Sequence, residues 1–110
     1  MLGDDHPHTL TSANNLARGF SALGDYRAAR ELDEDTLARC RRVLGDDHPS
    51  TLMSANNLAA MLRAMGDYRT ARELDEDILA QRRRVLGDDH PDTQLSARNL
   101  AADLRALGEE

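Results

Sequence analysis

The sequence predicts an all-α protein: a right-handed α-solenoid of antiparallel helix pairs, with about five helices. Three observations predict it. A 42-residue unit recurs in phase, apolar residues within the unit fall at steps of three and four, and each break in that period carries helix-stop and helix-start residues.

The repeat is seen first in the hexapeptide LGDDHP, which occupies residues 2–7, 44–49 and 86–91. Residues 2–43 and 44–85 differ at 11 positions, so 31 of 42 are identical. The third copy, 86–110, is shorter. The 110 residues therefore read as one solenoid domain of stacked copies.

In the first unit, Leu10, Ala13, Leu16, Ala17, Phe20 and Leu23 lie on one helical face. Pro7 suits a first turn, Asp5 or His6 a cap, and Gly24 a C-terminal stop. The second helix carries Ala29, Leu32, Thr36, Cys40 and Val43 as a stripe, with acids early and Arg39, Arg41 and Arg42 late. That order complements the helix dipole. Arg27–Glu31 and Arg30–Glu34 have the spacing of weak surface pairs. The same pattern in the later copies places helices near 7–23, 25–44, 49–65, 67–86 and 91–107.

The hexapeptide is then a link. Leu44 ends a helix, Gly45 turns the chain, Asp46–His48 cap, and Pro49 opens the next helix. A metal reading is weaker, because two carboxylates and an imidazole adjacent on one short turn make an open, incomplete site. No metal, cofactor or catalytic residue is expected: there is no nucleophile–base pair, Gly-rich phosphate loop or metal-spaced cluster, so the chain is not read as an enzyme.

Net charge is −6, but residues 2–43 and 44–85 each sum to −1 and residues 86–110 to −4. No basic patch points to nucleic acid. No apolar run approaches the roughly 18 residues of a membrane span. Met1 leads straight into acidic residues, and Cys40 has no second cysteine to pair with, so a cytoplasmic, reducing location is expected.

A helix–turn–helix unit with NLA, a glycine at the turn and GDY opening the second helix resembles a tetratricopeptide repeat. It resembles the long 42-residue form of kinesin light chains and of multi-repeat actinobacterial proteins. Leu16, Ala17, Phe20, Gly24, Tyr26 and Ala29 match the family pattern, as do Leu58, Ala59, Leu62, Gly66, Tyr68 and Ala71. One departure stands out: Asp33 and Asp75 occupy a slot where the family places a large aromatic. A carboxylate there is expected to be buried and hydrogen-bonded, with Asn or Ser of adjacent first helices, or the Arg three residues earlier, as candidate partners.

The resemblance implies a concave groove, lined by the first helix of each unit, that holds an extended peptide. Transferred by position, the groove residues are Thr11, Asn14, Asn15, Arg18 and Ser21; Met53, Asn56, Asn57, Ala60 and Arg63; and Leu95, Arg98, Asn99, Ala102 and Arg105. Asn15, Asn57 and Asn99 form a ladder that suits a peptide backbone, or equally a neighbouring repeat. Asn14 and Leu95 stand where a chaperone-type carboxylate clamp would need Lys, so that clamp is not supported. Arg18, Arg63, Arg98 and Arg105 favour an acidic or phosphorylated partner.

Two functions follow: a protein–protein interaction module, part of a longer array, or a purely architectural, oligomerising solenoid with no ligand of its own, natural or designed. Eight of the 11 differences between the first two copies lie in the link, first helix and turn, which leans toward binding. Leu100, Leu104 and Leu107 on the last helix lack a following second helix in this chain, so self-association through repeat ends is also expected.

Overall fold

The computed structural model describes residues 24–108. The described chain forms four helices and no strand: α1 (Tyr26–Leu44), α2 (Pro49–Ala64), α3 (Tyr68–Leu86) and α4 (Pro91–Ala106). Each packs on the next, α1 on α2, α2 on α3 and α3 on α4, as in a right-handed α-solenoid. The expected helix near 7–23 lies outside the described residues. The other four begin and end within one residue of expectation, because their boundaries are set by local chemistry.

The link hexapeptide shows how. Gly45 takes φ +91°, a conformation costly for any residue with a side chain, and its N–H donates to the Arg41 carbonyl at 3.2 Å. His48 is the N-cap of α2: its Nδ1 accepts the Ser50 N–H at 3.0 Å, and Pro49 follows at the first helical position. His90 repeats the arrangement on α4, accepting from Asp92 at 3.1 Å. Of the three candidate cap residues Asp46–His48, the histidine is the cap, while Asp46 lies 3.8 Å from Arg41. Only an unprotonated Nδ1 can accept this bond. His48→Asn is therefore expected to keep the helix start. His48→Ala should cost roughly 1 kcal/mol by chemical denaturation, the usual value of an N-cap.

The turns between paired helices use aspartate. Asp25 and Asp67 cap α1 and α3, accepting from Ala28 and Thr70 at 3.2 and 3.3 Å. Before Asp67, α2 closes with two reverse bonds: Gly66 N–H to the Arg63 carbonyl and Asp67 N–H to the Leu62 carbonyl. This is the Schellman pattern, and it needs the positive φ of Gly66, +84°.

The core runs between the helices as Leu37, Ala55, Leu58, Leu62, Ala71 and Ile78, with Leu74 at its margin. Ala29, Ala59 and Ala71 have no exposed surface and let backbones approach closely. Burying a leucine such as Leu62 contributes about 1.5–3 kcal/mol, which no surface pair approaches. Arg30–Glu34 forms at 3.3 Å, whereas Arg27 and Glu31 stay exposed and form no such bond. No helix among the described residues is long and apolar enough to cross a membrane.

Candidate protein-binding groove

On α2, the residues that face away from the core are spaced by three and four: Met53, Asn56, Asn57, Ala60 and Arg63. Leu52, Ala55, Leu58, Ala59 and Leu62 occupy the opposite, buried side. On α4 the matching stripe is Leu95, Arg98, Asn99, Ala102 and Arg105. The stripe is not uniformly open. Met53 and Leu95 are 53% and 45% exposed, and Ala60, Arg98 and Arg105 are exposed. Asn56, Asn57, Arg63, Asn99 and Ala102 are half-buried. Asn14, Asn15 and Arg18 lie outside the described residues.

The asparagine ladder takes a different form from the one expected. Asn99 Nδ2 donates to Asn56 Oδ1 at 3.2 Å, so the bond between repeats joins Asn99 to Asn56 and not to Asn57. Asn57 turns its Nδ2 out of solvent, where it has no hydrogen-bond partner, and its amide nitrogen is not open on the stripe.

Arg63 is also used inward. Its Nη1 lies 2.5 Å from Asp75 Oδ2 and 3.4 Å from Asp103 Oδ1. Asp75 and Asp103 are 1% and 0% exposed. The predicted burial of Asp33 and Asp75 holds, with 2% and 1% exposure. The partner of Asp75 is Arg63 from the first helix of its own repeat, reaching across the turn. With Asp103 on α4, the three groups stitch repeat to repeat. Two buried carboxylates share one guanidinium. Burial, then the hydrogen bond with Asp103, raises the Asp75 carboxyl to about 7, and the Arg63 charge only partly offsets this.

Asp103 was not among the sequence candidates. The signal lay in the internal comparison: Asp103 stands where the second copy has Met61, and Arg63 where the first has Ser21, so acid and base enter as a pair. Arg82 is similar. It replaces Cys40, is 9% exposed, and donates through Nη1 to Ser96 Oγ at 2.7 Å; Cys40 meets Ser54, the counterpart of Ser96. Burial raises the Cys40 thiol, with the Ser54 hydrogen bond opposing, which leaves a poor nucleophile. Among the described residues no group of three His, Cys, Asp or Glu side chains converges as a metal site.

The model of the tetratricopeptide repeat family matches residues 9–50 and 51–92. No curated protein sequence matches the chain significantly. Among solved structures, the nearly identical TPR-like repeats of a kinesin light chain assignment from Podosopora anserina are similar, with a TM-score of 0.93, 35% identity, and coverage of 99% of this chain and 52% of that one. A single-substitution variant of those repeats gives a TM-score of 0.92 at 35% identity, covering 99% of this chain and 51% of that one. BtubC (BKLC) from P. vanneervenii gives a TM-score of 0.88 at 26% identity, covering 96% of this chain and 42% of that one. The chain thus spans about half the length of these structures or less. With two in-phase repeats matched over most of its length, the chain belongs to the tetratricopeptide repeat family, in its kinesin light chain-like form.

Proposed function

We propose that the chain is a protein-interaction module that holds an extended segment of a partner along the stripe of α2 and α4. The observation that carries this reading is the stripe itself: Met53 and Leu95, two large apolar side chains about half exposed, flank polar and small residues on neighbouring first helices. Exposed Arg98 and Arg105 support an acidic segment. Arg63 adds little to that preference, because Asp75 and Asp103 neutralise it. A cytoplasmic location fits this reading.

Ala60 lies exposed in the middle of the α2 stripe. Peptides selected from a random library against the chain are expected to lose at least about tenfold in affinity, ~1.4 kcal/mol, on Ala60→Trp, with the circular dichroism spectrum unchanged. Selected peptides that bind the variant as tightly as the parent would rule out the groove.

Asn99–Asn56 and Arg63 favour a second, architectural reading, since these stripe residues join repeats. Self-association belongs with it. Leu100 and Leu104 on α4 are half-exposed, whereas their counterparts Leu58 and Leu62 on α2 are 6% and 1% exposed beneath α3. That face should pair with a second copy, giving a dimer or higher stack by light scattering at high concentration. A monomer throughout the concentration series would overturn the self-association.

A further inference from the structure

Between the N-terminal ends of α2 and α4, with the end of α3 as its floor, lies a cavity of about 180 Å³. Leu52, Met53, Val85 and Leu86 supply apolar wall, and the last three are 53%, 51% and 39% exposed. Arg82 lines the same cavity, although only 9% of its surface is exposed. Its Nη1 donates to Ser96 Oγ and, at 3.2 Å, to the Asp92 carbonyl, both neutral acceptors. Among the described residues no carboxylate lies within ion-pair distance of its guanidinium. Asp47, on the cavity wall, is instead paired with Arg84. Buried cations are ordinarily held by an anion, and guanidinium has five donors where Arg82 uses one nitrogen.

The internal repeat separates frame from specificity. Pro49, Leu52, Val85 and Leu86 reproduce Pro7, Leu10, Val43 and Leu44 of the preceding unit. Met53 and Arg82 replace Thr11 and Cys40. A cation and a long flexible apolar side chain therefore enter together in an otherwise copied frame. Met53 also belongs to the groove stripe, so the cavity opens beside the path assigned to the peptide.

We propose that this cavity receives the side-chain carboxylate of a glutamate in the bound segment. Its methylenes lie along Met53, Val85 and Leu86, and its carboxylate meets Arg82. The proposal rests on the groove reading and names one contact within it. Asp92 also lines the cavity, and its negative charge opposes an incoming anion, so Asp92→Asn should tighten binding.

The test titrates the intact chain with the capped tripeptides Ac-Gly-Glu-Gly-NH2 and Ac-Gly-Gln-Gly-NH2, reading the Arg82 Nε–H and Met53 methyl signals by NMR. The glutamate probe should shift both saturably and bind at least about tenfold more tightly than the glutamine probe. Arg82→Gln should abolish the difference. Val85→Trp, which fills the cavity without touching the buried bonds of Arg82, should abolish binding even if Arg82→Gln fails to fold. Equal binding of the two probes, no shift at Arg82, or tighter binding of the free C-terminal carboxylate of Ac-Gly-Leu would overturn the assignment. Library-selected peptides that shift Arg98 and Met53 but leave Arg82 unmoved would preserve the groove and remove this pocket. Peptides that bind nowhere on the stripe would remove both.

Discussion

Arg63→Ala is expected to lower the stability of the chain by about 3–5 kcal/mol near neutral pH, the cost of leaving buried charge without its partner. The argument is geometric. Asp75 and Asp103 have 1% and 0% of their surface exposed, and one guanidinium nitrogen of Arg63 reaches both. Without it, two carboxyl groups face each other with no cation. They must bind protons, draw in water or separate α3 from α4, and each alternative costs free energy. Arg63 itself is the exposed member of the set, at 20% of its side chain, so lost apolar packing contributes little. Two controls distinguish charge from packing. The loss should shrink as pH is lowered, because protonation supplies the neutralisation that Arg63 gave. It should also shrink when Asp75→Asn and Asp103→Asn accompany Arg63→Ala. Urea denaturation of the four variants at two pH values measures all of this. A loss below ~1 kcal/mol at neutral pH would place the triad among solvated surface pairs.

Helix limits were legible from single residues. Gly45, His48 and Pro49 each restrict the backbone or satisfy an end group locally, so no distant contact was needed to locate the break. The stripe was legible for the same reason: a helical period assigns faces, and Met53, Ala60, Leu95 and Arg98 do face outward. Arg63 shows the limit of that method. Its backbone lies on the open stripe, as the period requires, but its side chain is long enough to fold back to Asp75. Periodicity places a Cα; it does not say where a guanidinium ends. The same holds for Asn99, whose amide is spent on Asn56. Asp75 was legible as a buried acid only through the slot it occupies. Its partners lie 12 residues back and 28 ahead, on two other helices, and only the fold brings them together.

The pH dependence of Asp75 gives the other large effect, and its sign runs against that of most carboxylates. In the folded chain its carboxyl is raised to about 7, chiefly by burial and by the hydrogen bond with Asp103. In the unfolded chain an aspartate titrates near ~3.9. Below the unfolded value both states hold the proton, and the contribution to stability is fully present. Between the two values the folded state keeps a proton that the unfolded state releases, so stability falls as pH rises. Above about 7 both are ionised, and the contribution is lost. The parent's overall curve sums every titrating group. The difference between parent and Asp75→Asn isolates the buried group. An asparagine donates where the protonated acid does and still offers Arg63 an oxygen. Asp75→Asn should therefore match the parent near pH 5 and exceed it near pH 8 by on the order of 1–2 kcal/mol, less than the full shift implies because Arg63 stays partly hydrated. Asp75→Ala, which removes both donor and acceptor, should lose about 1–3 kcal/mol. Parallel curves for parent and Asp75→Asn from pH 5 to 8 would show that Asp75 is ionised throughout.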